Sequence, residues 1–438
     1  MVSLRHLEDI KKLITEGKHF CIVPWVHLYV TGLGHMSECY SIIEGSNSTG
    51  YGSLNNNSFD ELWQGEKIRS FRKRLLNDEM IPECAQCYKN EKAGCYSLRK
   101  DVNEKFKEYI AWVANTDDNG YANDAKPISW DIRFSNLCNL KCRTCCYSSS
   151  SSWYNDQKAL GLPVDELTNS DSIIKGVNDS GKLLKDLDKY IPHLKKIYFA
   201  GGEPLIIKEN YEILEKLNLL KLYDIEITYN TNLTVLGHLG LGTIKLWKNF
   251  NNIKLFASAD GSFGRGEYIR KNILWNEFES NVHFIKQECR NLKFTLTSTV
   301  SVFNILHLTD FHRQCVESGL IGIDEIWLSI LNMPEFYSIK ILTPELKIKA
   351  TGKIEKHIEW LKSQCSPEEY INSVRLQELI RQFEVCINYL NSEDWTDKIS
   401  EFKKYTDKLD ELRKESFVEV FPELESLYTS LKGDCNDK

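Results

Sequence analysis

Nine of the chain's fourteen cysteines fall between Cys21 and Cys146, and three of these share one short run, Cys138-Asn-Leu-Lys-Cys142-Arg-Thr-Cys145. Thiolates are the soft, charged donors that iron–sulfur clusters and zinc require. Three of them in a C-x3-C-x2-C loop can wrap one face of a four-iron cube and leave its fourth iron open to chemistry. At this cysteine frequency, chance produces such a run roughly 0.01 times per chain. Spacing alone also admits zinc, with Cys146 or a distant residue as fourth ligand.

The compartment expected for the chain strengthens the metal reading. The first residues, MVSLRHLEDIKKLITEG, include Glu8 and Asp9 and no apolar run, unlike a signal peptide. The most apolar stretch, 21–30, is interrupted by Pro24, Trp25 and His27 and falls short of the roughly 18 residues of a spanning helix. A cytoplasmic protein without membrane contact is expected, where disulfides are disfavoured and clustered cysteines read as ligands. The net charge of −7 argues against a nucleic-acid partner. Cys289, Cys315, Cys365, Cys386 and Cys435 are scattered, and read as small buried hydrophobes.

The 438 residues suffice for two or three domains. Residues 1–100 read as loop-rich and carry five cysteines, and 101–126 as a connecting helix with a polar link. Short apolar runs at 129–135, 195–200, 224–230, 253–260, 294–301 and 324–330 read as strands, with helical stretches such as 211–222 and 273–288 between them. That alternation predicts an α/β fold, a parallel sheet closing partly as a (β/α)6 TIM-like barrel over 127–340. The segment 148–182 opens with five serines and reads as a mobile insertion or an exposed helix. Beyond it, Thr343-Pro344-Glu345 and Ser366-Pro367-Glu368-Glu369 are helix starts, and Leu376, Leu379, Ile380, Phe383, Ile387 and Leu390 keep helical spacing. Residues 341–438 are therefore expected to be a C-terminal helical appendage.

The second strand ends in Gly201-Gly202-Glu203-Pro204. Two glycines admit close backbone approach by a ligand, and the carboxylate suits a ligand ammonium. The third strand ends in Asn230-Thr231-Asn232 and the fourth in Ser258-Ala259-Asp260-Gly261, short polar groups at the strand ends where α/β folds bind ligands. Turn chemistry alone also accounts for such residues. Asn304 and Arg270 are further candidates.

With the cysteine loop one βα unit ahead of GGEP, the chain resembles the radical S-adenosylmethionine superfamily. The resemblance implies a catalytic [4Fe–4S] cluster on Cys138, Cys142 and Cys145. It implies S-adenosylmethionine bound through Gly201, Gly202, Glu203 and Pro204 at its amino group. Asn230, Asn232, Ser258 and Asp260 would then lie near its ribose and carboxylate, with Arg270 able to pair with that carboxylate. Thr144 departs from the family, which usually has an aromatic residue before the third cysteine. Cys146 lies outside the ligand spacing and reads as structural.

Cys21, Cys39, Cys84 and Cys87, with Gly34 five positions before Cys39, form a second constellation, C…G-x4-C…C-x2-C. Four thiols suit zinc as well as iron. The arrangement resembles the twitch domain, the shortened relative of the SPASM domain, which implies an auxiliary [4Fe–4S] cluster with no open iron. Cys95 is a fifth candidate ligand. In the family this domain generally follows the barrel, and here it precedes it. Together the resemblances imply reductive cleavage of S-adenosylmethionine to a 5′-deoxyadenosyl radical and hydrogen abstraction from a small molecule or peptide. An oxidoreductase-type enzyme of this kind needs a reducing donor such as flavodoxin or ferredoxin. The rival reading is a cluster-stabilised binding or electron-transfer protein without turnover, which has no need of GGEP or the polar strand ends.

Overall fold

Residues that alternate in polarity along an extended chain point alternately to the two faces of a sheet, so short runs of branched and aromatic residues form strands wherever neighbours can cover them. In the computed structural model, which describes residues 7–42, 50–92, 97–164, 172–238 and 241–429, the longer ladders use nine strands. They are β1 (His27–Val30), β2 (His35–Ser37), β3 (Gly52–Ser53), β4 (Ser129–Ile132), β5 (Lys196–Phe199), β6 (Glu226–Thr231), β7 (Ile253–Ser258), β8 (Leu292–Val300) and β9 (Ile326–Ile330). All six strands expected between 129 and 330 are present as β4 to β9, most of them shorter at their polar ends. The expected helices at 211–222 and 273–288 are Lys208–Leu219 and Trp275–Glu288.

The chain forms two compact units, each built from non-contiguous stretches. The first comprises Met1–Asn136, Ile173–Thr228 and Asn249–Ile253. Its strand order is β3-β2-β1-β4-β5 with the start of β6 beside β5. β1 pairs parallel with β4 and β4 parallel with β5, while the β1–β2–β3 meander is antiparallel, so the sheet is mixed. The β1 strand corrects the expectation of a loop-rich N-terminus. Pro24 lies in the first turn of a one-turn helix, Val23–Val26, and the chain then extends through His27–Val30. Helices Leu7–Glu16, Glu66–Leu76 and Ala85–Lys92 fill much of the remainder.

The second unit comprises Leu137–Ser172, Tyr229–Lys248 and Lys254–Lys438, with the end of β6 followed by β7, β8 and β9 in order. β8 and β9 are parallel, Leu296 opposite Ile326. The C-terminal helices start where expected. The Thr343 side chain accepts from Leu346 N to open Pro344–Ser363, and a capping box between Ser366 and Glu369 opens Pro367–Asn372. Helix Val374–Asn391 buries Leu376, Leu379, Ile380, Phe383 and Leu390, with Ile387 half-buried. Cys289, Cys315 and Cys386 are buried, but Cys365 is only half-buried. Cys95 and Cys435 lie outside the described residues. Among the described residues no helix is long and apolar enough to cross a membrane.

Candidate functional site

The central cysteine loop is stapled from its own downstream neighbours. Ser150 Oγ donates to Leu140 O at 2.6 Å, Ser152 Oγ to Cys138 O at 2.7 Å, and Cys138 N donates to Ser151 Oγ at 3.2 Å. Trp153 Nε1 donates to Cys142 O at 2.9 Å. The serine run, expected to be a mobile or exposed insertion, therefore satisfies the backbone of a loop that has almost no ladder of its own. One exception is the two-residue pairing of Lys141–Cys142 with Arg270–Lys271, which sets Cys142 opposite Arg270. Cys146, read as structural, is exposed, its Sγ 3.1 Å from Ser148 Oγ.

A second set of contacts reaches the same loop from the end of the chain. Arg143, between Cys142 and Cys145, has no exposed side-chain surface. Its Nη2 donates to Asp410 Oδ1 at 2.5 Å and to Glu415 Oε2 at 2.7 Å, and its guanidinium lies 3.6 Å over the Tyr268 ring. Asp156 joins Lys141 at 2.8 Å to Arg413 at 2.9 Å, and Arg413 in turn covers Trp153. Residues 410–415 thus clasp the loop on both sides of Cys142. Sequence reading missed this because the partners are more than 250 positions apart and nothing local marks Arg143 as buried.

Several strand-end residues gather at these thiols. Arg270 pairs with Asp260, Nη2 to Oδ1 at 3.0 Å and Nε to Oδ2 at 2.9 Å, and its Nη1 lies 3.9 Å from Cys142 Sγ. Asp260 Oδ1 also accepts from Thr299 N, and Asn304 Nδ2 donates to Asp260 O and Thr299 O. Asn232 Nδ2 donates to Asn139 Oδ1 at 2.9 Å and lies 3.9 Å from Cys138 Sγ. Ser258 meets Thr297 at 3.2 Å, while Asn230 is exposed. Burial pushes the Cys142 thiol up, and the Arg270 charge pulls it partly back. Burial and the neighbouring cysteines 142, 146 and 138 push Cys145 well up. Such thiols become thiolates only beside a compensating cation, which suits the iron of a cluster.

In the first unit, Gly201 and Gly202 both have positive φ, +85° and +54°. A Cβ on Gly201 would stand 2.9 Å from the Arg133 side chain, so the turn admits no larger residue without displacement. Glu203 is 1% exposed and caps the following turn by accepting from Leu205 N, with Pro204 next. The two glycines thus make a bend that carries no side chain.

Cys21, Cys39, Cys84 and Cys87 line one pocket of the same unit. Gly34 closes the β1–β2 turn at φ +76°, where a Cβ would collide with Gly176 O, and this turn returns the chain toward Cys39. Cys84 ends a 3-10 turn begun by Pro82, and Cys87 lies in the helix that follows. Asn103, missed in the sequence, fixes Cys21 from both sides: Ile22 N donates to its Oδ1 and its Nδ2 donates to Phe20 O. Arg99, bound to Glu91, donates to Phe20 O as well. Burial pushes the Cys39 thiol up to about 12 and those of Cys21 and Cys84 up strongly, with the other cysteines adding to the rise. Four desolvated thiols lining one pocket are the donor type that an iron–sulfur cluster, larger than a single ion, requires. Among the described residues no three histidine, cysteine or carboxylate side chains converge around a single ion.

Residues 132–300 match the radical SAM superfamily, and residues 21–88 match SPASM, an iron–sulfur cluster-binding domain. The chain is a radical S-adenosylmethionine protein. Its SPASM-type domain stands ahead of the radical SAM region, and its cofactors are a catalytic [4Fe–4S] cluster, S-adenosylmethionine and an auxiliary iron–sulfur cluster. Among solved structures, native anSMEcpe with bound AdoMet aligns at 18% identity over 56% of this chain, with a TM-score of 0.38. TYW1 with a lysine-pyruvate adduct bound aligns at 14% identity over 55% of this chain and 72% of its own, with a TM-score of 0.28. The chain spans 62% of the length of the anSMEcpe structure. No curated protein matches.

Proposed function

We propose that the chain is an oxidoreductase-type radical SAM enzyme acting on a small-molecule or peptide substrate, with Cys138, Cys142 and Cys145 holding the catalytic cluster. When bound, the cofactors supply reductive cleavage of S-adenosylmethionine to a 5′-deoxyadenosyl radical that abstracts hydrogen. The observation that carries this reading is the stapled loop of three thiols with Arg270 and Asn232 against it. In this reading Gly201, Gly202, Glu203 and Pro204 receive the methionyl ammonium. Asp260 orients Arg270 beside Cys142, where Arg270 pairs with the cofactor's carboxylate in this reading. Asn304 holds the Asp260 turn, Ser258 and Asn232 line the strand ends, and Asn230 serves at the rim. Cys21, Cys39, Cys84 and Cys87 hold the auxiliary cluster, whose lack of an open iron suits electron transfer, with a flavodoxin or ferredoxin as outside donor. The domains are 1–100 for the auxiliary cluster, 101–126 as link, 127–340 as the partial barrel and 341–438 as the helical appendage.

Anaerobically reconstituted protein should contain about eight iron atoms per chain, two four-iron clusters. A Cys138→Ala/Cys142→Ala/Cys145→Ala variant should keep about half of that iron and form no 5′-deoxyadenosine under reducing conditions. Parental protein that holds iron yet never cleaves S-adenosylmethionine would instead favour an electron-transfer or binding role. Zinc without charge-transfer absorption in the triple variant would overturn the N-terminal assignment.

A further inference from the structure

Parallel strands covered on both sides are ordinarily apolar on both faces. The three strands β1, β4 and β5 depart from that. Leu28, Val30, Trp130, Ile132, Ile197 and Phe199 point to one face and are at most 4% exposed. The residues between them face the other way, and register sets these in two rows. One row is His27–Ser129–Lys196, and the next is Tyr29–Asp131–Tyr198.

The first row is paired. His27 Nδ1 lies 3.0 Å from Ser129 Oγ, and Lys196 Nζ lies 3.2 Å from Glu226 Oε1. The second is incomplete at its centre. Asp131 is fully buried, and neither of its carboxylate oxygens has a hydrogen-bond donor among the described residues. The Arg133 Nε, on the same face two residues on, is 3.5 Å away, beyond a good hydrogen bond, and has no acceptor of its own. Its guanidinium lies 5.1 Å over the Tyr29 ring, and 27% of the side chain is exposed. Leaving buried polar groups without hydrogen bonds is costly, and the apolar face already supplies the packing. The stem of Arg133 lies against Gly201, so the guanidinium is on the polar face beside the Gly-Gly bend.

We propose that Arg133 anchors an oxyanion of the substrate, a carboxylate or a phosphate, and that the substrate is accordingly an anionic molecule. The guanidinium offers two parallel N–H donors to such a group, Asp131 holds it by charge and the Tyr29 ring supports its face. This deepens the proposed function and rests on it, because it is the reading of the Gly-Gly bend as the cofactor's methionyl end that makes the neighbouring polar face the substrate's place.

The test is titration of the anaerobic, S-adenosylmethionine-loaded holoenzyme, by calorimetry or saturation-transfer NMR. The probes are N-acetylglycine, succinate and inorganic phosphate, with neutral N-acetylglycinamide as control. At least one anion should bind, and the amide should bind at least about tenfold more weakly. N-acetylglycine alone would point to a peptide carboxylate, succinate alone to a small acid and phosphate alone to a phosphate ester. Arg133→Gln should weaken that anion at least about tenfold, and Arg133→Lys should restore part of it by charge without the fork. Iron content and circular dichroism confirm that the variants are folded. Binding of no anion, or equal binding to the Gln variant, overturns the proposal. Loss of S-adenosylmethionine affinity in Arg133→Gln also overturns it, by assigning Arg133 to the cofactor's own carboxylate. Failure of the parental protein to bind S-adenosylmethionine would strike the proposed function itself.

Discussion

The four N-terminal cysteines come from three separate stretches of chain, whereas the central three lie within eight residues. The first set therefore depends on folding to meet at all. Its surroundings are mostly backbone held by Asn103 and by Arg99, and the four thiols line one pocket. The second set is together in the unfolded chain, but its loop has little regular structure and is held by side chains: serines from one direction, Asp410, Arg413 and Glu415 from the other. The backbone around Cys21 thus leans on one buried amide and one ion-paired arginine, both close by in the same unit. The central loop is fixed by neighbouring serines and, beyond them, by charged residues from far along the chain.

The sharpest way to break the comparison is at Arg143. An Arg143→Met variant leaves buried Asp410 without its cation and weakens the hold on Glu415, at a cost of about 3–5 kcal/mol. Its urea midpoint should fall accordingly, and iron bound at the central loop should be lost to a chelator while the N-terminal iron stays. Equal loss from both sites would show that the clasp serves general stability only.

Asn103→Ala is the converse. It takes from Ile22 N its acceptor and leaves Phe20 O to Arg99 alone, costing about 1–3 kcal/mol. N-terminal iron should become labile and central iron should not, as read by iron counting after mild chelation.

A pH series sharpens the contrast further. The buried Cys39 thiol, pushed up to about 12, keeps its proton in the folded metal-free chain at pH values where an unfolded thiol, near 8.5, has lost it. The folded state then binds more protons, so stability of the metal-free chain falls as pH rises from about 8.5 toward 12. Ligation removes those protons, and the loaded protein should lack the slope. Unfolding free energies from urea titrations at pH 7.5 and 9.5 should differ by about 1.4 kcal/mol through Cys39, with Cys21 and Cys84 adding in the same direction, in the metal-free form alone. The smallest effect expected is that of Ser152→Ala, which removes one hydrogen bond to Cys138 O and should cost about 0.5–1 kcal/mol, with a modest increase in iron loss from the central loop only.

The six strands from β4 to β9 were legible because each is a short apolar run bounded by polar residues, and the C-terminal helix starts because Thr343 and Ser366 are followed by proline. β1 was hidden by Pro24 and Trp25, which read as interruptions of an apolar stretch but form one helical turn ahead of the strand. The cysteines themselves were plain in the spacing. Their supports were not, since Ser150 to Ser152 have the composition of a loose loop and acquire a role only once Leu140 and Cys138 turn their carbonyls toward them. Arg143, Asp410 and Asn103 carry no local pattern at all. Their roles follow from burial, which is a property of the folded chain.

The clasp also sets an order on biosynthesis. Asp410 follows Arg143 by 267 positions, so at about 5–20 residues per second the ribosome finishes Arg143 roughly 13–53 seconds before its partner exists. Through that interval the cysteine loop is complete in sequence and lacks the carboxylates that hold it. A chain stopped short of residue 410 carries all seven thiols of the two sets without the carboxylates of the clasp. A truncation ending before residue 410 should therefore hold iron less firmly at the central loop than at the N-terminal thiols, as iron counting after mild chelation would show.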